Sequence, residues 1–493
     1  MDRKKYILGI DQSTQGTKML LFDGQGKIVT RIDRPHRQLV NEEGWVSHDM
    51  NEIYENIISE VKELVQTLHI RGEEICAVGI SNQRETTAAW DDNGVPYCPA
   101  IVWQCGRAAQ VAQRIGKDPA AAGLIQNVTG LPLSPFFPAS KMRWLLEHDC
   151  RAADVRKLHL GTVDSYLVYR LTKGEVFATD ASNASRTQLM DLENRCWSAQ
   201  VCEIFQIPQS VLPEILDSNG SFGETDFDGV LGRKIPICAV MGDSHSALYG
   251  QRCHQAGRMK ITYGTGSSIM LNTGSTKAAS RHGLATSLAW SIDGEASYVL
   301  EGNINYTGAV ISWLKNDLGL IASASEVNAL CAAANPDDET VIVPAFTGLS
   351  APYWESCVRA GMLGMSRMTK KAEIVKAAVD SIAQQITDVF EAMELDFGTS
   401  IEEARADGGP TKNTYLMQLQ SDLSGTCVLA SDTEELSAIG TAYLAGITAG
   451  LYDKIKVFDN LTYRSFQPGM DEEKKQAKRG AWKAAVKSIL EYA

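Results

Sequence analysis

Residues 6–22 read YILGIDQSTQGTKMLLF, and this stretch decides the fold. Tyr6–Ile10 and Lys18–Phe22 are short apolar runs, and Asp11–Thr17 between them is a polar turn rich in small residues. The pattern predicts a β-hairpin with a small-residue tip. Gly, Ser and Thr let several backbone N–H groups approach one anion and add hydroxyl donors. The tip is therefore either a phosphate cradle or an ordinary hairpin turn.

Two charged residues flank this turn. Asp11 ends the first strand, where a carboxylate can organise a hydrated Mg²⁺ that bridges phosphates, and Lys18 can neutralise phosphate charge. The turn matches neither GxxxxGK[ST] nor GxGxxG. P-loop and Rossmann folds therefore lose their main support.

The same pattern returns about 250 residues later. Met259–Asn272 again contains an apolar run, the turn Gly264–Ser268 and a second apolar run. The whole chain of 493 residues is too long for one core. The two hairpins predict two domains of similar construction, 1–250 and 251–493, with the boundary near Gly250.

Helix and strand patterns alternate through both halves. Strands are predicted at 75–80, 158–163 and 235–240, and apolar residues at helical spacing predict helices over 53–68, 375–393 and 473–491. Asp407-Gly408-Gly409 lies between a strand-like stretch and the helical 413–423. A glycine pair at such a junction lets the backbone approach a flat ligand such as adenine.

Candidate groups for a hydroxylated substrate follow two of the strands. Arg84 and Glu85 lie just after the strand 75–80. They could hydrogen-bond to neighbouring hydroxyls of a polyol, or they could form an ion pair at the surface. Trp103 could be an apolar wall for a carbon chain or a core residue. Asp243 follows the strand 235–240 and could be a general base or a helix N-cap, and His245 is interpreted as structural or as a support behind the site.

Composition excludes several other classes of protein. The net charge of −13 and the lack of a basic, aromatic-interleaved cluster disfavour nucleic acid as a partner. No run approaches the roughly 18 apolar residues of a membrane span, and the short apolar run after Lys5 predicts no secretory signal, so we expect a cytoplasmic protein. Eleven cysteines without a CxxC pair and eight histidines without HExxH spacing predict reduced thiols and no protein-ligated metal.

These segments together resemble the FGGY family of carbohydrate kinases, most closely its glycerol kinase branch, over about residues 6–450. The resemblance is carried by the following stretches: 44–49 (GWVSHD), 81–87 (SNQRETT), 100–105 (AIVWQC), 161–164 (GTVD), 179–187 (TDASNASRT), 263–266 (YGTG), 343–349 (VPAFTGL), 351–354 (APYW) and 407–409 (DGG). Residues 136–148 and 360–380 resemble the two family-wide signatures. The family implies an α/β fold of two actin-like, ribonuclease-H-like domains with a catalytic cleft between them.

The resemblance also implies a role for each matched position. Domain 1–250 would carry the acceptor and the Mg²⁺ and phosphate side, and domain 251–493 the nucleotide side. ATP and Mg²⁺ would be the cofactors, Asp243 the general base, and Asp11 with Asp243 the carboxylates near Mg²⁺, through water. The nucleotide contacts would be Ser13, Thr14, Gln15, Lys18, Thr265, Gly266, Gly308, Ser312, Gly409 and Asn413, and the acceptor contacts Arg84, Glu85, Trp103, Phe136, Asp243, Ser244 and Ser268.

The acceptor pocket departs from the glycerol kinase pattern at three positions. Phe136 stands where that branch has Tyr, Ser244 where it has Gln, and Ser268 where it has Phe. Two serines in place of larger side chains are expected to enlarge the pocket and admit water, and Phe136 removes a hydroxyl donor. The sequence therefore predicts a kinase for glycerol or a related small polyol. The alternative is a kinase for a four- or five-carbon ketose or sugar alcohol of the xylulose, ribulose or erythritol type.

Two rival functions use the same twin hairpins. An actin- or chaperone-like ATPase would not need residues 83–87 or Trp103, and a sugar-binding relative without turnover would not need Asp11, Lys18 and Asp243. Both are therefore disfavoured. The candidate assemblies are a homodimer and a higher homo-oligomer.

Overall fold

The computed structural model describes residues 5–492, so the outermost residues of the two predicted domains lie outside the described residues. The strands are β1 (Tyr6–Gln12), β2 (Gly16–Phe22), β3 (Ile28–Pro35), β4 (Leu39–Val40), β5 (Val46–His48), β6 (Ile75–Asn82), β7 (Thr87–Trp90), β8 (Ala100–Ile101), β9 (His159–Thr162), β10 (Ala178–Asp180), β11 (Met190–Asp191), β12 (Cys196–Trp197), β13 (Glu214–Leu216), β14 (Glu224–Thr225), β15 (Ile235–Gly242), β16 (Met259–Tyr263), β17 (Ser267–Gly274), β18 (Ala285–Ile292), β19 (Glu295–Ile304), β20 (Val341–Val343), β21 (Gly361–Leu363), β22 (Glu403–Asp407), β23 (Cys427–Ser431) and β24 (Tyr463–Phe466).

The helices are α1 (Met50–Leu68), α2 (Ala109–Gly116), α3 (Pro119–Thr129), α4 (Pro138–Glu147), α5 (Val163–Leu171), α6 (Ala181–Ser185), α7 (Ala199–Phe205), α8 (Asp243–Gly250), α9 (Gly308–Asn316), α10 (Val327–Ala333), α11 (Lys371–Phe397), α12 (Thr414–Ser424), α13 (Leu436–Thr448) and α14 (Glu472–Tyr492). Among the described residues, none of these helices is both long and apolar enough to cross a membrane.

Two large mixed sheets organise the chain. The first has the strand order β14-β15-β6-β1-β2-β3, and the second has the order β18-β19-β17-β16-β22-β23-β24. Each contains one of the two predicted hairpins, β1–β2 and β16–β17, and both hairpins are antiparallel. In each sheet the first strand of the hairpin also pairs in parallel with a strand that follows much later in the chain, β6 or β22.

Local sequence explains why the elements form where they do. The Asp49 carboxylate accepts a hydrogen bond from the Asn51 amide and caps α1, whose residues Ile53, Ile57 and Val61 recur at helical spacing and are buried. The strands of the first hairpin run further than the apolar pattern predicts, so that the tip shortens to Ser13–Gln15.

Helix α13 crosses from the second half of the chain to the first sheet. It packs against β1, β6, β15 and α8, and its Leu436, Ile439 and Tyr443 share a core with residues of the first sheet. Gly79 of β6 permits this approach, because a Cβ at that position would lie 2.4 Å from the carbonyl oxygen of Thr441. The sequence pattern did not predict this contact.

Candidate active site

A cavity of about 870 Å³ lies between the two hairpin tips. It brings together most of the predicted site residues: Ser13, Thr14, Gln15, Arg84, Glu85, Trp103, Phe136, Asp243, Ser244, Thr265, Gly266 and Ser268. Its volume is in the range usual for small-molecule sites. Asp11, Lys18, Gly308, Ser312, Gly409 and Asn413 do not line this cavity.

The first tip is braced by its own backbone and by charges behind it. The Ser13 amide and hydroxyl both donate to the Gly16 carbonyl, each at 2.9 Å. Asp11 and Lys18 face each other across the ladder, and Lys18 Nζ lies 3.7 Å from Asp11 Oδ2 and 3.2 Å from Glu435 Oε2. Lys18 therefore lies between two carboxylates just behind the tip, and Arg31 also pairs with Glu435.

Asp11 carries an unusual carboxyl group. Burial raises its pKa to about 6, although Lys18 and the Ser81 hydroxyl, which donates to Asp11 Oδ1 at 3.0 Å, oppose this rise. Asp243 and Glu435 add to it. A cation bound near Asp11 would therefore lower the pKa of this carboxyl.

The second tip is held by the start of α9. The Gly308 amide donates to the Gly264 carbonyl at 2.9 Å, and the Ala309 amide donates to the Thr265 carbonyl at 3.0 Å. A Cβ at Gly308 would lie 2.7 Å from the Gly264 oxygen, which explains the glycine. Ser312 is exposed one turn further along α9.

The glycine pair after β22 has a packing role in the structure. Gly408 has φ +96°, and a Cβ there would lie 1.9 Å from the Tyr263 carbonyl oxygen, so only glycine lets β22 lie this close to the second hairpin. Gly409 is exposed, and the Asn413 side chain accepts a hydrogen bond from the Leu416 amide and caps α12. Asp407, whose pKa burial raises to about 6, accepts from the Thr262 hydroxyl at 3.2 Å.

Arg84 and Glu85 lie in a buried network of four alternating charges. Arg84 donates two hydrogen bonds to Glu301, at 2.9 and 2.8 Å, and its Nε lies 3.3 Å from Asp243 Oδ1. Arg186 lies 2.6 Å from Glu85 and 2.8 Å from Glu301. Arg84, Glu85, Arg186 and Glu301 are all at most 7% exposed, so the surface-pair interpretation is wrong.

Within the network, Arg84 and Glu301 stabilise each other's charged form. Burial opposes the charge of Glu301, but Arg186 and Arg84 outweigh it and hold the pKa of the carboxyl well below its ordinary value. Burial likewise opposes the charge of Arg84, and Glu301 and Glu85 raise its pKa instead. The guanidinium of Arg84 is thus a fixed donor at the cavity wall.

An aromatic wall faces this network. The rings of Trp103 and Phe136 meet edge to face with centroids 5.7 Å apart, and both line the cavity. The indole N–H of Trp103 donates to the Thr14 hydroxyl at 2.9 Å. This hydrogen bond ties the aromatic wall to the first tip, so Trp103 is part of the cavity rather than a core residue.

Asp243 is the first residue of α8, immediately after β15. Gly242 occupies the N-cap position, so the capping interpretation of Asp243 is wrong. Its carboxylate lines the cavity, is about one-third exposed and accepts from the Ser244 amide at 2.6 Å. The positive end of α8 favours negative charge at this position. His245 beside it is fully buried, and burial with nearby Arg84 holds its pKa well below the ordinary value.

Sequence reasoning missed three charged residues of the site: Arg186, Lys260 and Glu301. Lys260 Nζ donates to the Ser268 hydroxyl at 3.2 Å and to the Thr262 hydroxyl at 2.9 Å, and burial lowers its pKa to about 8. Lys260 and Glu301 stand inside apolar strands. A charged residue at such a position indicates a buried partner, and this signal could have found them.

The fold and cleft define a two-domain kinase of the actin-like, ribonuclease-H-like class. The family models described as the N-terminal and C-terminal domains of the FGGY family of carbohydrate kinases match residues 6–250 and 259–449. The chain belongs to the FGGY family of carbohydrate kinases.

Individual relatives match along nearly the whole chain. Glycerol kinase 1 of Thermotoga maritima is 43% identical over 491 residues, which cover 98% of this chain and 99% of that protein. The crystal structure of Plasmodium falciparum glycerol kinase with ADP superposes with a TM-score of 0.93 at 34% identity, covering 98% of both chains. A xylulose kinase from Lactobacillus acidophilus has a TM-score of 0.88 at 20% identity, covers 99% of this chain and 100% of that one, and shares the fold.

Proposed function

We propose that this chain transfers the γ-phosphoryl group of ATP to a hydroxyl of glycerol or a related small polyol. One observation carries the proposal: both small-residue tips, Arg84 and the aromatic wall of Trp103 and Phe136 line a single cavity. The tips suit phosphates, and the wall suits a hydroxylated carbon chain. Relatives named glycerol kinase that match 98% of the chain support the same activity.

The nucleotide would lie across the two tips. Ser13, Thr14 and Gln15 offer donors from one side, and Thr265 and Gly266 offer them from the other. Lys18 is 28% exposed behind the first tip and could turn from Glu435 to a phosphate oxygen. The nucleoside would extend past the start of α9 toward the start of α12, along a set comprising Gly308, Ser312, Gly409 and Asn413.

Mg²⁺ is part of the proposal, bound with the nucleotide. Residues 5–492 contain no group of three or more His, Cys, Asp or Glu side chains that could hold a metal ion. Asp11 suits a hydrated ion, because burial and the nearby Asp243 and Glu435 raise the pKa of its carboxyl, and a cation beside it would offset these effects. When bound, the ion would neutralise phosphate charge.

Asp243 is the proposed general base. Its carboxylate lies in the cavity next to Arg84, which can donate to the same substrate hydroxyl that loses its proton. The carboxylate accepts this proton as the hydroxyl oxygen bonds to the γ-phosphorus and the bond to the β-phosphate oxygen breaks. Phosphoryl transfer otherwise requires mainly positioning and charge neutralisation, which the two tips supply.

The size of the acceptor is the open part of the specificity. Ser244 and Ser268 line the cavity with small hydroxylated side chains, and Phe136 adds an apolar edge. These residues favour the second candidate, a four- or five-carbon ketose or sugar alcohol. An ADP-release screen against glycerol, tetritols, pentitols, ketopentoses and aldoses tests both candidates, with Asp243→Asn as the blank. If none of these acceptors causes ADP release, the proposed function is wrong.

We place the reaction in the cytoplasm. Cys98, Cys196, Cys357 and Cys427 are at least partly exposed and form no disulfide, which suits a reducing compartment.

A further inference from the structure

A second cavity, of about 410 Å³, lies outside the cleft, and four cationic side chains line it. Arg252 follows α8, Arg258 precedes β16, Arg405 lies within β22, and Lys454 follows α13. None of them lines the cavity between the hairpin tips. Four separate segments of the chain therefore converge to place positive charge in one recess.

Nearby carboxylates compensate this charge only in part. Arg258 Nη1 and Arg405 Nε share one oxygen of Glu403, at 2.8 and 3.1 Å. Arg252 lies 3.7 Å from Asp459, and both of these side chains are largely exposed. Within the described part of the chain, no carboxylate lies within ion-pair distance of Lys454. An excess of positive charge thus remains in a chain whose net charge is −13.

The next carboxylate along the chain is already engaged. Asp453 precedes Lys454, and its carboxylate accepts hydrogen bonds from the Ile455 and Lys456 amides, each at 2.9 Å. It therefore caps the backbone of its own turn and does not bridge to Lys454.

The recess is held in shape before any ligand enters. Arg405 donates to the backbone carbonyl of Gln251, pairs with Glu403 and lies 5.2 Å over the ring of Tyr463. His254 contacts the Tyr249 carbonyl at 3.0 Å, and burial lowers the pKa of the ring to about 4, so that it forms a neutral wall at pH 7. A guanidinium fixed in this way loses little freedom on binding an anion.

We propose that this recess binds the phosphate group of a small molecule. Guanidinium groups match phosphate oxygens two at a time, and a doubly charged phosphate balances the excess charge. The volume is that of a small-molecule site rather than a flat basic surface. The acidic chain as a whole repels a nucleic acid backbone, which leaves a small phosphorylated compound or free phosphate as the ligand.

The test is calorimetric titration of the whole protein with inorganic phosphate and, separately, with a hexose monophosphate and the unphosphorylated hexose, at constant ionic strength. The variant is Arg252→Gln with Lys454→Gln, because both residues are exposed. The control is Arg151→Gln with Arg156→Gln, an exposed pair with the same change of charge. Thermal melts compare the folding of all three proteins.

We expect the wild type and the control to bind one more equivalent of phosphate per chain than the variant, or to bind that equivalent about tenfold more tightly. Binding of both inorganic phosphate and the ester means that the phosphate group suffices. Binding of the ester alone identifies a metabolite as the ligand. Counting equivalents separates this site from phosphate bound in the cleft. Equal stoichiometry and affinity in wild type and variant, for both probes, would overturn the proposal.

Discussion

The substitution Glu301→Gln tests the buried charge network at the acceptor end of the cleft. Glu301 is 1% exposed and balances two guanidinium groups, Arg84 and Arg186, at 2.8 to 2.9 Å. The amide keeps the shape but loses the charge, and its NH₂ group faces donors. Removing one partner of a buried ion pair costs about 3–5 kcal/mol, so we expect a loss of that size in urea unfolding.

The same substitution should weaken acceptor binding. In Glu301→Gln the guanidinium of Arg84 loses its charged partner and can turn further toward the Asp243 carboxylate, which lies 3.3 Å from its Nε. We expect the KM for the acceptor to rise about tenfold, equivalent to about 1.4 kcal/mol, with a smaller change in the KM for ATP. Steady-state kinetics with each substrate varied in turn provides the measurement.

A matched control separates the site from general stability. Asp388 is 5% exposed and accepts hydrogen bonds from Arg479 at 2.6 Å and Trp482 at 2.7 Å, in a part of the fold that does not line the cleft. Asp388→Asn should lose similar stability and keep its acceptor KM. An unchanged acceptor KM in Glu301→Gln, or an equal rise in the control, would refute the reasoning.

Four further predictions concern the cleft. Asp243→Asn should lower kcat by about 10²–10⁴ without recovery at high Mg²⁺, whereas the activity of Asp11→Asn should recover in part; kcat across a Mg²⁺ titration measures both. Because burial raises the pKa of Asp11 to about 6, the folded chain holds this proton more tightly than the unfolded chain, and stability falls as pH rises from about 4 to about 6. Asp11→Asn should therefore be more stable than wild type above pH 6, by up to about 3 kcal/mol, with no difference below about pH 4 in urea unfolding. A four- or five-carbon polyol or ketose should have a higher kcat/KM than glycerol, and Ser268→Phe with Ser244→Gln should shift the preference toward glycerol by about 1–3 kcal/mol. ATP with Mg²⁺ and acceptor should reduce the radius of gyration in small-angle scattering, because the two tips face one cavity.

Each of these has an outcome that contradicts it. Asp243→Asn with more than about a tenth of wild-type turnover would exclude Asp243 as the base. An equal pH dependence of the free energy of unfolding in wild type and Asp11→Asn would show that burial does not raise the pKa of the Asp11 carboxyl. A tenfold or greater preference for glycerol in the wild type would contradict the enlarged pocket. Unchanged dimensions with both ligands would count against closure of the cleft.

The sequence predicts the cleft well where its chemistry is local. Each hairpin is contained in fewer than 20 consecutive residues, and its apolar runs and small-residue turn are visible directly. Asp243 could likewise be placed at a strand end from its immediate neighbours. The two-domain fold was identified through the family resemblance, since two divergent hairpins by themselves only suggest a repeat.

Partners that are distant in the chain could not be read from local patterns. Arg84 and Glu301 are 217 positions apart, and Lys18 and Glu435 are 417 apart. Nothing in the residues around Arg84 indicates that its carboxylate partner comes from the other sheet. Local pattern placed Arg84 near a ligand, whereas only the three-dimensional packing shows what holds it there.

The path of α13 bears on how the chain can be made and divided. A protein cut near Gly250 would keep every strand of the first sheet but expose the face that Leu436, Ile439 and Tyr443 cover. During synthesis the same face stays uncovered while about 190 further residues are added, because α13 is made only then. The first half of the chain therefore exposes apolar surface that is prone to aggregation until the second half is nearly complete. Chaperones that bind apolar surface have this interval in which to act.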